Sequence, residues 1–222
     1  MTAREEVLGR IRAALGSGAG VTSEAGGASG AGSEDVPRAY RTGADLSDSA
    51  LIGLLTERLR DYGTPVRPCP PGEVAAAVRQ SLAGRGARRV VVPPDLDQAG
   101  LGLDGLADVT LITDDGLSPV ALDATDGVVT TAALALAETG TIILDGSAGQ
   151  GRRALTLVPD YHLCILDASQ VVATVPQAVA RLAPGRPCTW ISGPSATSDI
   201  ELDRVQGVHG PRTLEVILVV RP

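Results

Sequence analysis

The chain has 222 residues, 44% of them hydrophobic, which is enough for one good-sized α/β domain or for one domain with a small appendage. Three Tyr, one Trp and no Phe leave the core to Val, Leu, Ile and Ala, a composition suited to a buried parallel sheet flanked by helices. All 19 basic residues are Arg, with neither Lys nor Asn present. That excludes a Schiff-base or P-loop lysine, and the net charge of −7 argues against a nucleic-acid binder.

In chain order, residues 2–15 read as an amphipathic helix. Thr2 and Glu5 fit a capping box, and Val7, Leu8, Ile11 and Leu15 recur at helical spacing. Its charge is unlike a signal peptide, so the expected location is the cytoplasm. No hydrophobic stretch is long enough to span a membrane, so no membrane insertion is expected. Residues 16–37, rich in Gly, Ala and Ser, read as a flexible linker. The expected organisation is therefore helix 1–15, linker 16–37 and an α/β domain over 38–222.

A helix is predicted over 47–61, stopped by Gly63, and a strand at TPVRP. PGEVAAAVRQSLAG starts with a proline suited to a helix N-terminus. RRVVVPP and DVTLIT read as short buried strands. VVTTAALALAETGTIIL reads as a strand or helix start, a small-residue helix and a strand at 141–144. RRALTLVP and YHLCILD are strand candidates, joined to 141–144 in a hairpin-like run through the glycine-rich DGSAGQG. VPQAVARLA reads as a helix, and CTWIS and TLEVILVV as the last strands. The alternation predicts a mixed, mainly parallel α/β sheet with flanking helices.

Ligands in such sheets collect at the carboxyl ends of strands. That rule points to the loops before Thr141, after Leu157 and after Ser192. The last of these, GPSATSDIELDRVQGVHGP at 193–211, is dense in polar groups. Ser198-Asp-Ile-Glu201 has the spacing of a capping box and predicts a short helix start, whose free N–H groups favour an anion. Ser195 and Thr197 add hydroxyl donors ahead of it. Asp199 and Glu201 are alternatively acid–base groups. Metal ligation is disfavoured because no His stands at zinc spacing.

His209, between glycines, reads either as an exposed imidazole at a strand mouth or as a surface turn residue. His162 reads as a strand-edge His satisfied by a backbone carbonyl. Glu138-Thr139-Gly140-Thr141 places an acid at a backbone bend. It is either a nucleophile or general base, or a bend packed tightly against a neighbour. DGSAGQG joins two strands and is no dinucleotide fingerprint. Cys69, Cys164 and Cys188 lack ligand spacing and read as buried small hydrophobes. These signals together predict one pocket at the carboxyl ends, formed by 138–141 and 193–211, with Glu138 or His209 acting on an anion held by Ser195 and Thr197.

AETGTIIL, VPDYHLCIL and GPSATSDIELDRVQGVHGP, in that order and spacing, resemble the LUD-domain family of the lactate-utilisation protein C type, over about residues 40–222. The resemblance implies a fold similar to the sugar-phosphate isomerase and CoA-transferase (NagB/RpiA-like) superfamily. It implies a part in oxidising L-lactate to pyruvate beside iron–sulfur partner proteins, and the count of three isolated cysteines agrees with no cofactor being held in this chain itself. The motif positions are Glu138, Thr139, Gly140 and Thr141, then Gly193, Ser195, Thr197, Asp199 and Glu201, then Gln206, Gly207, His209 and Gly210. Family members often carry a basic residue where this chain has Ala196; if that side chain contacts the ligand, anion affinity here is either weaker or supplied by another Arg. Two other readings remain open: a stand-alone enzyme on a phosphorylated or CoA-linked small molecule, and a ligand-sensing interaction protein. Whether the chain alone is catalytic, and whether it forms a homo-oligomer, is open at this stage.

Overall fold

Ser47 starts the first long helix, α1 (Asp48–Asp61), by accepting the Ala50 N–H at 3.3 Å. In this computed structural model, residues 4–8, 10, 39–198, 204–207 and 209–221 are described. The chain divides into two compact units, residues 1–39 and 40–222. In the first unit, residues 4–8 and 10 are helical, with Glu6 and Arg10 paired at 2.7 Å. Thr2, the other half of the expected capping box, and the expected linker 16–37 lie outside the described residues.

The second unit continues with β1 (Val66–Cys69), α2 (Val74–Arg85), β2 (Arg89–Val92), β3 (Thr110–Thr113), α3 (Pro119–Asp123) and β4 (Gly127–Thr131). Then come β5 (Leu134–Leu136), β6 (Thr141–Leu144), β7 (Tyr161–Asp167), β8 (Val171–Val172) and α4 (Val175–Arg181). Last are β9 (Thr189–Ile191), β10 (Ala196–Ser198), β11 (Arg204–Gln206) and β12 (Thr213–Val219). Six strands form a parallel sheet in the order β1-β12-β7-β4-β2-β3, and β8-β5-β6-β9 form a second, mixed sheet.

Alternate side chains of β7 and β12 enter opposite clusters, as the pleat requires. Leu163, Ile165, Ile217 and Val219 pack with Val78 and Leu82 of α2. Cys164, Leu166, Val216 and Leu218 pack with Leu55 and Leu59 of α1 and with Ile142 and Leu144 of β6. The outer face of the second sheet, Leu134, Leu136 and Ile143, is covered by Ala178 of α4. Both faces of the parallel sheet are thus covered, which is why its strands read as continuous aliphatic runs.

Several expectations change. The small-residue helix within 127–144 is strand: Leu134–Leu136 pairs antiparallel with Thr141–Ile143 and its residues are buried. Short helix formers yield to sheet pairing where packing decides. Residues 153–156 form a 3-10 turn instead of a strand. The hairpin from 141 to 166 is absent, because β6 and β7 belong to different sheets. Ser198 ends strand β10, which pairs antiparallel with β11 in the register Ala196↔Gln206, Thr197↔Val205 and Ser198↔Arg204. Of the expected helix start only Ser198 is described, as the last residue of that strand; Asp199 to Glu201 lie outside the described residues. Cys188 is exposed, unlike buried Cys69 and Cys164.

Candidate functional site

The 193–211 segment lies at the amino ends of β7 and β12, the reverse of the expected end, because it feeds directly into Thr213 at the start of β12. Its two limbs are tied together: Ser195 N–H donates to Pro211 O at 2.9 Å, and Gly207 N–H donates to Ser195 O at 3.0 Å. His209 N–H donates to Ser195 Oγ at 3.1 Å. Gly193, at φ +78, lies where a Cβ would come within 2.6 Å of Tyr62 Cβ. Gly140, at φ +59, lies equally close to the last turn of α1, with an added Cβ 2.8 Å from Arg58 Cβ. Only glycine allows both approaches.

These segments enclose a pocket of about 250 Å³. Arg153, Thr156, His162, Trp190, Ser192, Ser195 and His209 contribute to its wall, along with Gly193 and Ala196. No Asp or Glu occurs among the described lining residues. Arg153 donates to Thr189 Oγ1 and has no carboxylate within ion-pair reach among the described residues. Ala196 and Arg153 line the same pocket, so a guanidinium stands where residue 196 itself supplies no charge.

His162 is 1% exposed and sits inside the sheet, not at an edge. Its Nε2 lies 2.7 Å from Thr130 Oγ1 on β4, so a side-chain hydroxyl, not the expected carbonyl, orients the ring. Burial lowers its pKa to about 4, so the imidazole is neutral at physiological pH.

The structure separates the remaining candidates. Glu138 does not line this pocket; it pairs with Arg41 at 2.7 Å, so the single pocket expected from the sequence becomes two places. Thr139, Thr141 and Ser192 join in a hydroxyl chain, Thr139 Oγ1 to Thr141 Oγ1 at 2.7 Å and Thr141 Oγ1 to Ser192 Oγ at 2.8 Å. Thr197 and Gln206 are placed by their backbones in β10 and β11. Asp199 and Glu201 lie outside the described residues.

A larger cleft, about 730 Å³, opens at the carboxyl ends of β4, β7 and β12. Two similar turns line it. Asp145 Oδ1 accepts from the Ser147 N–H at 3.0 Å and from Gln150 Nε2 at 3.2 Å, while Asp145 N–H donates to Gln150 Oε1 at 2.7 Å. Asp167 Oδ1 accepts from the Ser169 N–H at 2.9 Å, and Asp167 N–H donates to Gln170 Oε1 at 2.8 Å. Arg186 stands 3.7 Å from Asp145 and Arg221 stands 2.6 Å from Asp167. Burial pushes both carboxyls up, but the serine bonds and the arginines hold them below the ordinary value. Sequence reading passed over these residues. Their signal was the repeated Asp-x-Ser at a strand end followed by Gln, the pattern of an Asx turn.

Cys69 and Cys164 lie on opposite faces of the sheet. Among the described residues no group of three or more His, Cys, Asp or Glu is placed to hold a metal. Among them, too, no helix is long and apolar enough to cross a membrane.

The LUD domain profile matches residues 117–219. Lactate utilization protein C of Deinococcus radiodurans is 45% identical over 186 residues, covering 81% of this chain and 84% of that protein. Lactate utilization protein C of Shouchella clausii is 30% identical over 179 residues, covering 75% and 78%. The crystal structure of a DUF162 family protein from Deinococcus radiodurans superposes with a TM-score of 0.66 at 39% identity, covering 79% of this chain and 99% of that one. With sequence and fold so matched, the chain belongs to the LUD-domain family, as a lactate utilization protein of the C type.

Proposed function

We propose that this chain serves L-lactate utilisation in the cytoplasm as a subunit that holds a small anionic ligand in the amino-end pocket. Iron–sulfur partner proteins would carry the electrons released as L-lactate is oxidised to pyruvate. The observation that carries the anion assignment is the pocket's charge balance: Arg153, His162 and His209 among several hydroxyls, with no carboxylate among the described lining residues. A guanidinium in a small concave site with no carboxylate among its described lining residues attracts an anion and pairs well with a carboxylate.

The test is complementation. A strain lacking this chain is expected to lose growth on L-lactate as sole carbon source. The wild-type gene should restore growth and pull down cysteine-rich partner proteins. Arg153→Gln should keep the partners but not the growth. Full growth without the chain would overturn the reading. One observation favours a second reading, a stand-alone enzyme on a phosphorylated or CoA-linked molecule: the 730 Å³ cleft has room for a larger ligand and includes Arg181. Turnover of such a compound by the pure chain would establish it.

A further inference from the structure

A third cavity, of about 420 Å³, shares Arg153, Thr156 and Thr189 with the amino-end pocket. Its own walls add Arg152, Arg186 and one acidic residue, Asp145. Leu144 at the end of β6 pairs with Thr189 at the start of β9, which sets the Asp145–Gly146 turn beside the stretch leading into β9. Arg153 donates to Thr189 Oγ1, and Arg186, just ahead of β9, donates to Ser147 Oγ at 2.9 Å. Both guanidinium groups are thus anchored at the same end of the β6–β9 ladder and line one cavity.

The three arginines are not equally matched. Arg152 is committed, its Nε and Nη2 donating to the two Asp114 oxygens at 2.7 and 3.0 Å. Arg186 stands 3.7 Å from Asp145, beyond hydrogen-bond length. Asp145 is served by its own turn instead, through the Ser147 N–H, the Ser147 hydroxyl and Gln150 Nε2. Arg153 has no carboxylate within ion-pair reach among the described residues. Two guanidinium forks with N–H groups to spare therefore line a cavity whose one acid is already occupied. A carboxylate, with two oxygens, is filled by a single fork. A phosphate group offers three or more oxygens and close to two negative charges, so it can accept from both forks at once. A volume of about 420 Å³ is also that of a small-molecule site.

We infer that this cavity is a second anion site, which binds a phosphate dianion, free or as the end group of a small phosphomonoester, between Arg153 and Arg186. The site stands on its own residues and does not depend on the reading of the amino-end pocket. Arg153 belongs to both walls, whereas of the two cavities Arg186 lines this one alone. Arg186 is therefore the residue whose loss separates the two sites.

The experiment is a calorimetric titration of the full chain, in chloride buffer at constant ionic strength, with inorganic phosphate and with glycerol 3-phosphate. Wild type is expected to bind at one site. Tighter binding of the ester assigns the site to a phosphomonoester, and an ester that binds no tighter assigns it to free phosphate. Arg186→Gln and Arg153→Gln are each expected to weaken the binding by roughly tenfold to a hundredfold, the scale of one charge-assisted hydrogen bond. Arg60→Gln, which removes the same charge from an exposed position on α1, is expected to leave it unchanged. A measurement on the wild type guards against a variant that fails to fold. Phenylglyoxal modification of Arg186, followed by mass spectrometry, should slow when phosphate is present, while that of Arg60 should not. If phosphate and ester bind no better than chloride, if Arg186→Gln binds them as wild type does, or if phosphate leaves Arg186 unprotected, the inference is overturned. L-lactate binding is expected to survive Arg186→Gln; its loss there would make the two cavities one site and remove the second. Failure of L-lactate to bind the wild type would overturn the amino-end reading alone.

Discussion

At its carboxyl ends the six-stranded sheet opens on a cleft of about 730 Å³, and at its amino ends on a pocket of about 250 Å³. The two differ in volume and in how their acidic groups are matched. In the cleft, Asp145 and Asp167 are each matched by a serine and an arginine, and Gln150 and Gln170 close the turns. In the pocket, Arg153 has no carboxylate among the described lining residues. The lesson is that space reports where packing ends, while an uncompensated group reports where a ligand is wanted. Neighbours in sequence show the same contrast. Arg152 grips the buried Asp114 at 2.7 Å, whereas Arg153 faces the pocket.

Four substitutions can break or sharpen that comparison. The largest effect is expected from Asp114→Ala, which strands Arg152 and frees the two capped amides. Removing one member of a buried pair costs about 3 kcal/mol or somewhat less, since Arg152 is itself partly exposed. Thermal unfolding should show a drop of roughly 6–12 °C, with small-acid binding unchanged. The pH dependence follows from the sign of the shift. The Arg152 guanidinium holds the Asp114 carboxyl below its ordinary value. Its stabilisation is therefore present above the ordinary carboxylate range and is lost as pH falls through the depressed value. Acid titrations of wild type and Asp114→Ala should converge there; a constant gap down to the lowest pH would refute the assignment.

Next in size is the pair Arg153→Gln and Arg181→Gln, one in each site. Loss of a charge-assisted hydrogen bond costs about 1.5–3 kcal/mol, or roughly tenfold to a hundredfold in affinity for L-lactate. Calorimetric titration should show that loss for Arg153→Gln and none for Arg181→Gln. The opposite pattern would move the anion site to the carboxyl ends.

The smallest effect is expected at the wall between pocket and helix. Gly193→Ala forces a side chain into φ +78 and against Tyr62. Left-handed backbone alone costs about 1–2 kcal/mol for a residue with a Cβ. Chemical denaturation should register a loss of about 2 kcal/mol, and L-lactate affinity should fall as the segment shifts. Unchanged stability would mean that α1 does not brace the pocket.

Much of the fold was legible in the residues themselves. Aliphatic runs such as Arg89–Val92 and Thr213–Val219 announce buried strands. Ser47 and Gly63 bracket α1, and the family motifs stand in plain order. Local stereochemistry and burial demand set these features, and both are written in residue type and spacing. What needed tertiary structure was everything that depends on a partner distant in sequence. Leu134–Leu136 is strand only because β6 and β8 lie beside it. The 193–211 segment stands at the amino ends only because β12 is inserted between β1 and β7. Glu138 leaves the pocket for Arg41, 97 residues away, and Arg153 enters it. His162 passes from a satisfied edge residue to a buried ring because Thr130, 32 residues earlier, comes to lie beside it. Spacing along the chain carries the local terms of the energy, whereas pairing across strands and the compensation of charges become defined only when the sheet has closed around them.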